Sequence, residues 1–432
     1  MIQSSGLRAW LGRQQRTSFA AYVIVAAFGT YFCMYAFRKP FTAGTFEGSA
    51  VAGIAWKTIL IAAQVAGYTL SKFLGIRIVS SMSPGRRATT LIALILLAEA
   101  ALVLFAVTPA PWNALWLFCN GVPLGMGFGL VMGFLEGRRL TEALTAGLCA
   151  SFILSSGVVK SVGRDLIVHR GIEEAWMPAA TGAIFFVPLL VFTWMLAQIP
   201  PPRTEDLEQR SAREPMSAVD RRDFFRRHKH GLVALVAIYL FLTILRSVRD
   251  DFAVEIWREL GVSGRPSVFA STELVVTLLV LVVSGASVCI GSNVRALFVA
   301  LASMAFCFAL AIGLVFWRHA AGLDGFAFMV MSGALVYVPY VAFHTTVFER
   351  LLAVLRERAN IGYLMYLADA FGYLGYVVVM VVRNLVKGNV DFLTWFEVVL
   401  VSLSFASLAL TIYVARYFAQ QRRPTRASLT AS

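Results

Sequence analysis

Twelve apolar runs of about 20 residues divide this chain, and each is long enough to cross the hydrocarbon core of a bilayer as an α-helix. Apolar residues make up 59% of the 432 residues and charged residues only 14%, against about 25% charged in soluble domains. So large an apolar surplus excludes a soluble enzyme, a disordered chain and a secreted disulfide scaffold. The predicted fold class is an all-α, polytopic membrane protein with spans at 19–43, 58–80, 88–108, 112–134, 143–163, 176–198, 231–252, 267–290, 296–317, 325–347, 359–382 and 394–417.

One long polar stretch, residues 199–230, divides the runs into six and six. It opens on three prolines and is dense in charge, which is typical of a solvated linker, with a short amphipathic segment around Phe224 and Phe225. The predicted organisation has four parts: a six-helix half (1–198), a cytoplasmic linker (199–230), a second six-helix half (231–418) and a cytoplasmic tail (419–432).

Lysine and arginine residues set the predicted orientation. With the N-terminus inside, the inner segments hold 24 of the 38 Lys and Arg residues, the outer segments hold 11, and Arg38, Lys72 and Arg246 lie within spans. Both termini are therefore predicted to be cytoplasmic, in a bacterial inner membrane. The same bias explains the net charge of +14 without a nucleic-acid partner. The first span ends in Arg38-Lys39-Pro40 instead of a cleavage site, so we expect it to be retained.

The sequence lacks the patterns of a metal centre or an enzyme. Its five cysteines are scattered within apolar runs, no Cys/His cluster occurs, and no Ser/His/Asp set or nucleotide-binding loop is present. We therefore expect no cofactor, no metal and no catalytic activity. Dense glycine between Asn120 and Gly133 predicts close approach of helix backbones in the fourth span.

Two polar trios share one spacing and indicate an internal repeat. The trios are Tyr31, Tyr35 and Arg38 in the first span, and Tyr239, Thr243 and Arg246 in the seventh, offset by 208 residues. Each trio falls within about 60° of its helix surface. Because intramembrane arginines are rare, we interpret the match as a repeat, which predicts two six-helix bundles related by an axis along the membrane normal.

Arg38 and Arg246 are the leading candidates for substrate binding. An arginine within a span costs at least about 2.5–3.5 kcal/mol on insertion scales, so it must face a partner, an aqueous cavity or a ligand. Two guanidinium forks at matching depth suit a phosphate or a carboxylate. The alternative is that each arginine has a private acidic partner, and Asp250 lies one turn from Arg246.

Other polar residues share helix faces with these arginines. Lys72 lies one turn from Tyr68 in the second span and either adds a third positive charge to the cavity or extends toward the cytoplasm. Asp369 in the eleventh span either pairs with a cavity arginine or carries a coupling proton. His344 in the tenth span either titrates near neutral pH or is held by a structural hydrogen bond. Glu273 in the eighth span is a weaker candidate.

Two sets of site residues follow. The predicted substrate-binding set is Arg38, Arg246, Lys72, Tyr35, Tyr31 and Tyr68. The predicted coupling and cavity set is Asp369, His344, Tyr366, Tyr373, Tyr340 and Glu273.

At these residues the chain resembles the major facilitator superfamily, and within it the organophosphate:inorganic-phosphate antiporters. The stretch Tyr35-Ala-Phe-Arg38-Lys39-Pro-Phe41 is similar to the Tyr-x-x-Arg-Lys-x-Phe of their first helix, and Ser71-Lys72-Phe73 to their second. Leu245-Arg246, followed by Asp250, resembles their seventh helix. The resemblance implies the major facilitator fold, a monomer, and a substrate phosphate bound by Arg38 and Arg246 with Lys72 nearby. The loop at 75–87 departs from the superfamily pattern, because it lacks the Asp that the pattern has in this loop.

The leading hypothesis is a secondary active transporter of a small organic anion, driven by antiport with phosphate or by symport with protons. A transporter-like receptor for an anionic metabolite is the second hypothesis. A membrane-embedded enzyme acting on lipid is the third, and it depends on the acidic outer loop from Arg249 to Glu259.

Overall fold

The structure, a computed structural model, describes residues 6–47, 50–51, 53–80, 82–135, 141–200, 218–262, 264–288, 290–355, 361–385 and 391–421. Most of the predicted linker (201–217) and the end of the predicted tail (422–432) lie outside the described residues. The predicted division into two halves, linker and tail stays a prediction.

Most of the described residues are helical. A short antiparallel hairpin, formed by the two-residue strands β1 (Ala50–Val51) and β2 (Ile54–Ala55), precedes the second span. The helices are α1 (Gly6–Arg13), α2 (Arg16–Met34), α3 (Trp56–Ser80), α4 (Arg87–Val107), α5 (Ala114–Leu135), α6 (Thr141–Val168), α7 (Met177–Ala197), α8 (Ala218–Asp251), α9 (Ala253–Glu259), α10 (Ser267–Val288), α11 (Asn293–Ala321), α12 (Gly325–Ala342), α13 (Phe348–Leu355), α14 (Ile361–Leu385) and α15 (Phe392–Gln421).

Each of the twelve predicted spans corresponds to a long helix. Eleven described segments are long and apolar enough to cross a membrane, with mean hydropathies from 1.4 to 2.7. The remaining span, α3, is a 25-residue helix that carries Lys57, Gln64 and Lys72. The prediction of an all-α, polytopic membrane protein is confirmed.

The first span is interrupted, although the sequence analysis predicts one run from 19 to 43. Its α-helix ends at Met34, and two 3₁₀ turns, Tyr35–Phe37 and Pro40–Ala43, follow. Pro40 has no backbone N–H to donate to the Ala36 carbonyl, so regular α-helical hydrogen bonding cannot run through this segment. The break places Arg38 and Lys39 between the two turns.

Two side-chain amides satisfy the carbonyls that this break releases. Gln64 Nε2 donates to the Arg38 carbonyl at 2.9 Å, and Asn120 Nδ2 donates to the Phe37 carbonyl at 3.0 Å. Gln64 also donates to the Asn120 side-chain oxygen at 2.8 Å. An unsatisfied carbonyl is expensive inside a bilayer, so these amides hold the backbone around Arg38 in place.

The tenth span contains a second irregularity. Between α12 and α13, residues Phe343–Val347 form a π-helical segment, four residues after Pro339. Such segments occur frequently at functional sites, and this one carries His344.

The seventh span begins earlier than predicted. Helix α8 starts at Ala218, so residues 218–230 are helical although the prediction assigns them to the linker. Its backbone kinks at His228, and Phe224 is buried. The apolar face predicted around Phe224 and Phe225 therefore forms the first turns of α8.

Close packing of α3 on α5 depends on glycine. A Cβ atom at Gly121 would lie 2.2 Å from the Gln64 carbonyl oxygen, and one at Gly125 would lie 2.6 Å from Ser71 Cβ. The glycines predicted to permit close approach thus bring α3 against α5. Helix α3 also packs on α14, and α6 packs on α10, so these two contacts join the first six spans to the last six.

Candidate functional site

Side chains from both sets of six spans meet around the break in the first span, and we call this group the central cluster. It comprises Tyr31, Tyr35, Arg38, Tyr68, Lys72, Tyr239, Arg246, Tyr340, His344, Asp369 and Tyr373. All of the predicted substrate-binding residues belong to it.

Arg38 is buried among aromatic rings. Its guanidinium carbon lies 3.9 Å from the centre of the Tyr68 ring and 5.8 Å from those of Tyr35 and Tyr373. Among the described residues, no carboxylate pairs with this guanidinium, and its Nε has no hydrogen-bond partner. Aromatic faces stabilise the cation without neutralising it.

Arg246 has a similar environment on α8. Its guanidinium carbon lies 4.7 Å from the centre of the Tyr340 ring, and one terminal nitrogen donates to the Tyr373 hydroxyl at 3.4 Å. No described carboxylate pairs with it, and its Nε also lacks a partner. Tyr373 therefore lies beside both arginines.

The private ion pair considered for Arg246 does not form, because Asp250 pairs with lysines instead. Lys39 Nζ lies 2.7 Å from Asp250 Oδ2, and Lys160 Nζ contacts Asp250 Oδ1. Ser156 donates to the same carboxylate. The arginine is left with positive charge that the described residues do not balance.

Lys72 and Asp369 form a buried ion pair between the two sets of spans. Lys72 Nζ on α3 lies 3.0 Å from Asp369 Oδ2 on α14. The sequence analysis weighs an arginine partner or a coupling proton for Asp369; the cation that the structure pairs with this carboxylate is a lysine, and the proton role stays a prediction. Lys72 also lies 5.0 Å from the Tyr68 ring centre, so it neither extends toward solvent nor stands free.

Hydroxyl and imidazole groups extend this pair. Tyr239 donates to Asp369 Oδ1 at 2.5 Å, and its oxygen lies 3.1 Å from the Tyr340 hydroxyl. His344 Nε2 lies 3.5 Å from the Tyr239 hydroxyl, and His344 Nδ1 lies 3.0 Å from the Tyr340 carbonyl. Because a carbonyl only accepts, we assign the imidazole proton to Nδ1, which leaves Nε2 unprotonated and facing the Tyr239 oxygen, whose single proton is donated to Asp369.

Two predicted residues lie at or beyond the margin of the central cluster. The Tyr366 ring centre is 5.9 Å from Lys72 Nζ. Glu273 accepts from Arg249 Nη1 at 2.7 Å, a pair formed within the last six spans. Glu273 makes no described contact with the cluster arginines, so the structure places it in a separate ion pair.

A second group of charges lies where the first span ends and the second begins, and we call it the six-charge network. Three lysines of the first six spans face three carboxylates at the end of the seventh span and in the short helix after it. The pairs join Lys39 to Asp250 and Asp251, Lys160 to Asp250, and Lys57 to Glu255.

Every side chain in the six-charge network is at most 12% exposed. Lys57 Nζ lies 2.7 and 2.9 Å from the two Glu255 oxygens, and Tyr376 donates to Asp251 at 2.8 Å. Burial weakens screening by water and salt, so these pairs hold the two sets of spans together at this end.

The acidic segment from Arg249 to Glu259 is accounted for by these pairs. Asp250, Asp251 and Glu255 hold lysines, and Glu259 accepts from the backbone N–H groups of Phe392 and Leu393. The segment is a helix end bound by ion pairs, which is not the arrangement that the lipid-enzyme hypothesis requires.

Comparison with known structures gives the fold its class. The chain aligns with a D-xylose-proton symporter at a TM-score of 0.58 and 14% identity, over 93% of this chain and 97% of that one. It aligns with the nucleoside transporter NupG at 0.59 and 16%, over 92% and 98%. The major facilitator superfamily proton:xylose symporter XylE gives 0.59 and 15%, over 94% and 96%. Comparison with curated proteins gives no match.

The spanning helices and these alignments define a multi-pass membrane protein with the major facilitator fold. The chain belongs to the family of unknown function DUF5690, whose model matches residues 40–421. Membership of the organophosphate antiporter branch, the cytoplasmic termini and the bacterial inner membrane stay predictions.

Proposed function

We propose that this protein is a secondary active transporter of a small organic anion, such as a phosphorylated or carboxylated metabolite. It acts as a monomer in the bilayer and alternates between conformations open to either side. The fold supports a transporter, because the aligned structures are described as a sugar symporter and a nucleoside transporter. Neither description includes an anion, so the substrate's charge rests on this chain's own residues.

One observation carries the proposal: Arg38 and Arg246 are buried guanidinium groups without a carboxylate partner among the described residues. They come from different sets of six spans, and both lie beside Tyr373. Burying two like charges near each other is costly unless an anion joins them. A phosphate or carboxylate accepts from both guanidinium forks.

The six-charge network supplies the closed end of the transport cycle. When the two sets of spans rock apart around the bound anion, Lys39, Lys57 and Lys160 separate from their carboxylates and become hydrated. Arg38 adjoins Lys39, and Arg246 lies one turn from Asp250, so the anion contacts are next to the pairs that open.

The test uses variants that preserve charge. Purified protein is screened by thermal shift against phosphorylated sugars, glycerol phosphates and carboxylates, and the best anion is carried into binding and proteoliposome uptake. Arg38→Lys and Arg246→Lys should each weaken binding at least about tenfold, because lysine lacks the planar fork.

Arg318→Lys is the matched control, since Arg318 pairs with Glu397 away from the central cluster. We call the joint binding of one anion by Arg38 and Arg246 the anion clamp. Normal binding and uptake in both cluster variants, at equal membrane abundance, would refute it. Anion binding without uptake would instead favour the receptor.

A further inference from the structure

Asp369 is held by groups from three parts of the fold. Lys72 reaches it from α3 at 3.0 Å, Tyr239 reaches it from α8 at 2.5 Å, and His344 of the π-helical segment lies 3.5 Å beyond the Tyr239 hydroxyl. The carboxylate thus has one cation partner and one hydroxyl donor that leads to an imidazole.

All of the charged and titratable groups around this carboxylate matter to its protonation. Those described are Lys72 and Tyr68 on α3, Tyr239 on α8, Tyr340 and His344 at the end of the tenth span, and Tyr373 on α14, with Arg246 acting on His344. Tyr366 faces Lys72. Lys72 is the cation that pairs with Asp369 directly.

Lys72 is also close to the proposed anion site. Both cations lie near the Tyr68 ring: the Lys72 ammonium is 5.0 Å and the Arg38 guanidinium carbon 3.9 Å from the same ring centre. An anion on Arg38 therefore also attracts the Lys72 ammonium. If Lys72 turns toward the anion, Asp369 loses its counter-charge in a buried setting, which favours its neutral form.

We propose that Asp369 is the proton-binding site of this transporter, and that an arriving anion draws Lys72 away from it so that one proton enters with the anion. This inference rests on the proposed function and extends it by naming the coupling ion.

The Tyr239 and His344 side chains supply a route for the proton. A proton from water first binds His344 Nε2, which is the free acceptor while Nδ1–H donates to the Tyr340 carbonyl. Tyr239 then passes its hydroxyl proton to Asp369 Oδ1 and takes the proton from His344 Nε2. One O–H bond forms at Asp369, the N–H bond at His344 breaks, and Tyr239 is regenerated.

Infrared difference spectroscopy tests the site in purified protein reconstituted in lipid. The protonated-carboxyl band is recorded between pH 8 and pH 3, because the Lys72 partner keeps Asp369 charged near neutral pH, and again at fixed pH on addition of sulfate, a divalent probe that does not titrate in this range. We expect acidification and sulfate each to raise the band in the wild type. Both increases should be lost in Asp369→Asn.

Glu397→Gln is the matched control, because Glu397 is also a buried, cation-paired carboxylate of the last six spans. It should retain both increases. Identical pH difference spectra for the wild type and Asp369→Asn would overturn the proton site.

Lys72→Gln provides a second measurement that does not need Asp369→Asn to fold. Loss of the ammonium should move the midpoint of the carboxyl band upward by about one to three pH units. An unchanged midpoint would overturn the proposal.

The anion clamp can fail separately from the proton site. Arg38→Lys should abolish the sulfate-induced increase and keep the pH-induced one. If sulfate raises the band equally in Arg38→Lys, the clamp is wrong while the proton site stands.

Discussion

The central cluster and the six-charge network both bury lysine or arginine side chains, yet they balance this charge differently. In the network, each of the three lysines has a carboxylate partner from the other set of spans. In the central cluster, Lys72 has a carboxylate partner, whereas Arg38 and Arg246 have no carboxylate partner among the described residues. Paired charge closes an interface, whereas unpaired charge awaits a ligand.

The largest effect should come from breaking a network pair on one side. Asp250→Asn leaves the Lys160 ammonium without its described carboxylate partner, and losing one member of a buried pair typically costs about 3–5 kcal/mol. We expect a clear drop in melting temperature in detergent, with reduced abundance in the membrane. Asp165→Asn, which breaks an exposed pair with His169, should leave stability near the wild type.

A charge exchange sharpens the network side of the comparison. Lys57→Glu and Glu255→Lys should each be destabilising, because each places like charges together in a buried contact. The double variant should recover part of the loss, with a coupling of about 0.5–3 kcal/mol. Additive losses in melting temperature would show that this pair does not join the two sets of spans.

The central cluster should respond in the opposite way. Arg38→Gln removes a buried charge with no described counter-charge, so the lost contact with Tyr68 is offset by relief of that burial. We expect stability within about 1 kcal/mol of the wild type together with loss of anion binding. A loss as large as that of Asp250→Asn would mean that Arg38 is a structural residue.

The smallest effect should come from an exposed ion pair at the network end. Arg258 pairs with Glu47, and both side chains are more than half exposed. Arg258→Ala should change stability by about 0–0.5 kcal/mol, since such pairs are screened by water and salt. A larger change in melting temperature would show that burial does not set the difference between paired sites.

Much of the fold and part of the site follow from local sequence signals. Apolar run length predicts the spans, and the shared spacing around Arg38 and Arg246 selects two residues that meet at Tyr373. Pro40 is a sequence signal for the break in the first span, although the apolar run continues past it.

Partner choice between distant helices could not be predicted in the same way. Asp369 and Lys72 pair because α3 packs on α14, and no local pattern records that contact. The sequence identifies Tyr239 only as a repeat position, whereas in the structure its hydroxyl lies between Asp369 and His344.

The six-charge network also has a signal in the sequence, namely lysines and carboxylates at matching ends of the two sets of spans. The orientation rule counts lysines and arginines by their side of the membrane and does not register that Lys39, Lys57 and Lys160 are buried against the acidic turn at 250–255. A search for lysines at one end of the first six spans and carboxylates at the same end of the last six would have found it.

The division of the network between the two sets of spans also bears on biosynthesis. Lys39, Lys57 and Lys160 are translated before the ribosome reaches Asp250, Asp251 and Glu255. The nascent N-terminal portion must therefore keep three ammonium groups in contact with water until α8 and α9 are inserted. Fragments made separately from either side of the 201–217 segment would carry complementary charges on this surface, which would direct their assembly in the membrane.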